Sequence, residues 1–250
     1  MSRRSVVGGI QPVRKEIFMC GRFTLTLEAE DVKQELDLGP MPADWVAHYN
    51  VAPSQPVAVV AEADERKVEW MRWGLIPSWA KDASIGDRLI NARSETLTEK
   101  PSFRSAFAKR RCLILANGFY EWQKLEGPKP TRIPYYFQLT GGRAFAFAGL
   151  WETWKSPEGQ DLRSCTIITC AANAIVAHIH DRMPVILDRE SCWKWLEDRR
   201  IPDLQPLLAP YPAEKMITFP VSRLVNDPAH DSKDLVAPVK LPGQASLLQQ

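Results

Sequence analysis

The sequence predicts an α+β fold: a single domain with a curved, mainly antiparallel, barrel-like sheet and short flanking helices. Three observations carry this. Short apolar segments are numerous, and Gly and Pro punctuate them along the whole chain. Helical patterns are single and modest, set between the strands. Regular βαβ alternation is absent, which argues against a doubly wound parallel sheet.

Taken in order, "AEDVKQEL" (Ala29–Leu36) reads as a short amphipathic helix. "PVAVVA" (Pro56–Ala61) and "KVEWMRWGL" (Lys67–Leu75) read as strands, the second alternating Val68, Trp70 and Arg72 against Glu69, Met71 and Trp73. A loop, "IPSWAKDASIGD", follows. "ARSETLTE" and "PSFRSAFAKRR" both read as helical, with Pro101 placed to start the second. "CLILAN", "FYEWQK", "PYYFQLT" and "AFAFAGLWETW" are strands, the turn "EGPKP" separating the second from the third. "CTIITC" is a further strand, "AANAIVAHI" a short helix, "MPVIL" a strand and "ESCWKWLED" a helix. The tail from Asp227 is polar and Pro-rich and is expected to fray.

The chain has 250 residues, 45% hydrophobic and 25% charged, with a net charge of +2. Bulk charge therefore does not announce nucleic acid, and a basic binding surface would have to come from local clustering. No apolar run is long enough to span a membrane, so no membrane partner is expected. The first eighteen residues are rich in Arg but lack the apolar core of a secretory signal. The five cysteines (Cys20, Cys112, Cys165, Cys170, Cys192) are odd in number and favour reduced thiols. No His/Cys spacing suggests a metal, and no Gly-rich phosphate loop is present, so no cofactor is expected.

Four stretches can carry chemistry. The first is "IFMCGRFTL", where Met19 precedes Cys20. An initiator Met is removed before a small residue, so a chain begun at Met19 would start at Cys20. An N-terminal Cys carries an amine with a pKa of about 7.7–8.0 beside a thiol. The amine forms an imine with an aldehyde, and the thiolate closes a thiazolidine on the same carbon. A buried structural Cys would read the same way. In "LINARSET", Asn91 and Arg93 offer amide and guanidinium groups, or a helix N-cap region. In "ANGFYEWQK", Glu121 lies between Tyr120 and Trp122, where desolvation could make it a general acid or base. Strand alternation leaves its direction open. In "IHDRMPVIL", His180, Asp181 and Arg182 precede an apolar strand, suiting either proton transfer or a capped turn.

Read in order, "MCGRF", "YNVAPSQPVAVV", "RWGLIPSWAKD", "INARSET", "SFR", "RRCLI", "GFYEW", "FAGLWE", "TIIT" and "IHDRMPVIL" resemble the SRAP (SOS response-associated peptidase) family from Met19 to about Val236. The resemblance implies an SRAP-type domain over residues 19–238, an extension at 1–18 and a flexible tail at 239–250. It implies a sensor of abasic sites in single-stranded DNA that forms a thiazolidine crosslink through Cys20. It carries Asn91 over as holding the sugar and the Cys, Glu121 as the proton donor, and His180 as the proton shuttle. DNA contacts carry over to Arg22, Asn50, Pro53, Trp79, Arg93, Thr169 and Arg182. A monomer is expected, cytoplasmic and nucleoid-associated if bacterial, with replication-fork proteins as further partners. Ala80 stands where some relatives have a second Trp, and Asn117 where others have Asp. The extension would cap the Cys20 amine, so Met19 is expected to be the true initiator, or residues 1–18 a cleaved segment. Two alternatives stay open: a cysteine peptidase acting mainly on its own N-terminus, with Cys20, His180 and Asn91 as its residues, and a non-covalent single-strand-binding module.

Overall fold

The computed structural model describes residues 21–127, 131–197 and 200–241. In chain order its elements are β1 (Phe23–Leu25), α1 (Ala29–Leu36), β2 (His48–Val51), β3 (Pro56–Val60), β4 (Val68–Trp73) and β5 (Asn91–Arg93). There follow α2 (Arg104–Lys109), β6 (Arg111–Ala116), β7 (Gly118–Leu125), β8 (Thr131–Leu139), β9 (Phe145–Lys155) and β10 (Asp161–Ala171). The chain continues through α3 (Ala174–Ala177), β11 (Arg182–Pro184), β12 (Ile186–Leu187), α4 (Arg189–Leu196), α5 (Ile201–Leu204) and β13 (Met216–Pro220).

Five of these strands close on themselves. β10 pairs with β4, β4 with β3, β3 with β6, β6 with β9, and β9 returns to β10. All the pairings of this barrel are antiparallel except β4 with β10. β5 adds to β10 in parallel, and β11 and β12 extend the rim. This is the mainly antiparallel, barrel-like α+β architecture expected from the sequence. The apolar runs explain it: β6 is buried at every position, because one face fills the barrel and the other is covered. Gly149 sits where β9 is flanked by both β6 and β10. A Cβ there would lie 2.9 Å from the Cys112 sulfur and 3.1 Å from the Thr166 carbonyl, so only glycine lets the three strands approach.

The second sheet, in the order β13-β8-β7-β1-β2, packs over the barrel. Phe23 reaches into the main core, its ring 5.1 Å from Trp73 and 5.6 Å from Phe147. Phe119 and Phe137 stack at 5.0 Å on the same side. Tyr120, Tyr136, Val221, Val225 and Leu235 form a smaller cluster on the other face. Buried Asn117 ties β1 to the start of β7. Its Oδ1 accepts from Thr24 Oγ1 at 2.9 Å and Thr26 N at 3.0 Å, and its Nδ2 donates to Thr26 Oγ1 at 2.8 Å.

The structure corrects three expectations. "ARSETLTE" is not a helix: Asn91–Arg93 is a strand, followed by a 3-10 turn at Ser94–Thr96. The open edge of β10 takes up its backbone groups. The helix expected from Pro101 begins only at Arg104. The segment from Asp227 is docked rather than frayed. Leu235 is fully buried, and the Asp231 carboxylate accepts from Tyr49 N at 2.5 Å and Asn50 N at 2.9 Å on the edge strand β2.

Candidate active site

A cleft of about 430 Å³ opens at one end of β7, lined by Gly21, Arg22, Pro53, Glu121, Trp122, Lys124, Arg132, His180 and Asn226. Four of the sequence-nominated residues meet there: Arg22, Pro53, Glu121 and His180. Cys20 itself lies outside the described residues; its covalent neighbour Gly21 lines the cleft. Gly21 reaches that wall because the β1–β7 ladder, Phe23 opposite Phe119, continues with Tyr120 N donating to Arg22 O at 3.0 Å.

Glu121 is 3% exposed. It follows Phe119 by two positions and so shares the barrel-facing side of β7, which answers what alternation left open. His180 ends the turn after α3, a helix that Asn173 caps by accepting from Val176 N at 3.1 Å. The imidazole Nδ1 accepts from Arg182 N at 3.1 Å and lies 2.9 Å from Asp181 Oδ1. One nitrogen cannot serve both partners at once. A neutral ring accepts from Arg182 and carries its proton on Nε2; a protonated ring donates Nδ1–H to Asp181. The ring can therefore take up and release a proton without moving.

Arg22 is pinned. Its guanidinium donates to Asn50 Oδ1 at 2.9 Å, Val225 O at 2.6 Å and Asn226 O at 3.3 Å. Burial lowers its pKa, with Asp227 and Tyr120 opposing. Asn50 is 1% exposed, and its Nδ2 faces Val225 O at 3.2 Å, Asp227 O at 3.0 Å and His230 O at 2.7 Å. It thus holds the segment that carries Asn226 to the cleft. Burial also raises the Tyr120 phenol well above its ordinary range, so it stays neutral and donates to Tyr49 O at 2.8 Å.

The remaining nominated residues cluster on β10 and its neighbours, or stand apart. Asn91 is opposite Ile167, and exposed Arg93 is opposite Thr169. Thr169 is fully buried, and Arg182 Nη2 donates to its carbonyl at 2.7 Å. Arg182 also grips Glu95 with both terminal nitrogens, at 2.5 and 2.9 Å. That bond holds the Glu95 carboxyl below its ordinary value. Trp79 is 59% exposed and does not line the cleft. Sequence reasoning missed Trp122, Lys124, Arg132 and Asn226. Trp122 was signalled only by its place beside Glu121, and Asn226 stands next to the tail expected to fray.

The four described cysteines are all buried. Burial raises the pKa of each, that of Cys170 to about 11. None of them is a thiolate near neutrality.

A barrel-centred α+β domain with a buried carboxyl, a two-state imidazole and basic groups around one cleft defines a protein built for acid–base chemistry on a polar ligand. The family model described as SOS response associated peptidase (SRAP) matches residues 19–228, and the chain belongs to that family. It is 47% identical over 223 residues to abasic site processing protein YoqW of Bacillus subtilis, covering 87% of this chain and 99% of that one. It is 32% identical over 265 residues to abasic site processing protein HMCES of Xenopus tropicalis, covering 89% and 79%. A crystal structure of a Bacteroides thetaiotaomicron protein superposes with a TM-score of 0.76 at 27% identity, over 87% of this chain and all of that one.

Proposed function

We propose that this protein processes abasic sites in single-stranded DNA by forming a covalent thiazolidine with them through Cys20, once Cys20 is the first residue of the chain. Relatives that carry the name abasic site processing protein support the substrate. The observation that carries the chemistry is the cleft: Gly21, to which Cys20 is peptide-bonded, lines it together with Glu121 and His180.

The opened deoxyribose presents an aldehyde at C1′. The Cys20 amine adds to that carbon, water leaves, and an imine forms. The thiol then adds across the imine, its proton passing to the nitrogen, and the five-membered ring closes. Both nucleophiles sit on one residue, so the second step is intramolecular. Glu121 protonates the departing oxygens during ring opening and dehydration. His180 moves protons at the sugar oxygen through the two hydrogen-bonding states of its ring. Asn91 holds the sugar and the Cys.

Arg22, Pro53, Arg93, Trp79 and Arg182 guide the strand, with Trp79 stacking on a base. Asn50 and Thr169 act from beneath, through Arg22 and Arg182. Residues 19–238 form the working unit, a monomer on single-stranded DNA, cytoplasmic and close to the nucleoid if bacterial, with replication-fork proteins as further partners. Release of the segment before Cys20 by the chain itself would draw on the same Glu121 and His180.

The test is adduct formation on an oligonucleotide bearing one abasic site, read on a denaturing gel. Cys20→Ala removes the adduct and keeps reversible binding. Glu121→Gln slows formation by about 10²-fold or more. An adduct that survives Cys20→Ala overturns the assignment.

A further inference from the structure

The arginines nominated for DNA on either side of the cleft, Arg22 and Arg182, already satisfy protein groups. Two other cations in the cleft wall do not. Lys124 and Arg132 stand directly opposite each other across the β7–β8 ladder, and both are exposed. Opposed side chains on antiparallel strands start about 4.5–5.5 Å apart, and like charges so placed repel. Among the described residues, neither makes an ion pair or a side-chain hydrogen bond. The flanking register pairs, Gln123 with Ile133 and Leu125 with Thr131, carry no acid to offset them. Glu126, in the turn beyond, forms an ion pair with neither. An anion between the two would turn this repulsion into attraction.

The surroundings indicate which anion. Trp122 lies two residues before Lys124 on the same strand face and also lines the cleft. Its indole is fixed by Nε1 donating to Asn226 Oδ1 at 2.7 Å. Along β7, Lys124 is three residues from Glu121, about 10 Å at the usual rise. An aromatic plate leading from the buried carboxyl to two uncompensated cations suits a polyanion with flat bases.

We propose that the β7–β8 hairpin is a phosphate-binding arm in which Lys124 and Arg132 together take one backbone phosphate of a nucleotide neighbouring the lesion. The inference rests on the abasic-site reading above and gives the strand a direction out of the cleft, over the hairpin.

The test uses the full chain and a single-stranded oligonucleotide carrying a tetrahydrofuran abasic analogue, which has no aldehyde and binds reversibly whatever the state of Cys20. Affinity is measured from 50 to 200 mM salt. Each neutralised phosphate of a single strand contributes about 0.7 to the slope of log K against log salt. The double variant Lys124→Gln, Arg132→Gln is expected to bind about tenfold more weakly and to lose about 0.7 of that slope. The charge-conserving pair Lys124→Arg, Arg132→Lys retains the slope, and Lys155→Gln, at the exposed end of β9, leaves it as in the wild type. Trimming the oligonucleotide on one side of the lesion removes the difference between wild type and double variant; trimming the other side preserves it. Wild-type binding with an unchanged slope in the double variant overturns the arm and leaves the parent reading standing. No wild-type preference for the abasic oligonucleotide overturns both.

Discussion

Asn50→Ala tests whether the cleft depends on the docked segment from Val225 to Asp231. The Asn50 amide has two hydrogens and faces three carbonyls, so at most two of those donations are well formed at once. Its oxygen accepts from Arg22. The alanine variant loses two donations of about 1 kcal/mol each and strands carbonyls in a site with little room for water. Arg22 also loses an acceptor. The sum is about 3 kcal/mol, or a fall in Tm of about 6–12 °C for a domain of this size. Asn50→Asp is the sharper variant. It keeps the acceptor for Arg22 but turns a carboxylate toward three carbonyl oxygens, and it should destabilise at least as much. Thermal and urea unfolding followed by circular dichroism give both values. Adduct formation below the melting transition should fall as well, because Arg22 and Asn226 lose their anchor. A Tm shift under about 2 °C for Asn50→Ala, or an Asn50→Asp variant as stable as the wild type, refutes the reasoning.

Glu95→Gln should raise single-strand affinity about fivefold, because it releases Arg182 from an internal anion; fluorescence anisotropy reads this. The same pair contributes stability above the ordinary carboxylate pKa, and loses it as pH falls through the lowered value, so an acid titration of Tm should flatten in Glu95→Gln. At pH 8 a thiol reagent should label one cysteine rapidly and the other four only after denaturation. Because burial raises the four thiol pKa values, the native state holds protons that the unfolded chain releases above about 9. Stability is then full below that pH and erodes above it, by up to about 1.4 kcal/mol per thiol per unit, a slope that urea titrations at pH 9 to 11 measure.

The strands β3, β4 and β6 to β10 were legible because their apolar runs are long enough to stand out. β1, β2 and β13 were not. "FTL" is too short for any period, "HYNV" begins with polar residues, and "MITFP" ends in Pro. "ARSETLTE" is rich in helix formers, but propensity lost to the free edge of β10. Leu235 is one apolar residue in a polar, Pro-rich stretch, and only the tertiary structure supplies the Tyr120–Tyr136 pocket that buries it. Glu121 and His180 were legible as residue types suited to proton transfer. The side Glu121 faces was not, since alternation pairs it with Phe119 without saying which face is the barrel. Lys124 and Arg132 were invisible as a pair because hairpin register, not local sequence, sets them opposite each other.

The intact mass of the protein under denaturing conditions, before and after mixing with a single-stranded oligonucleotide bearing one abasic site, tests the central claim most directly. The account predicts a chain that begins at Cys20 and gains the mass of one oligonucleotide less one water. A chain that begins at Cys20 and gains nothing would contradict it.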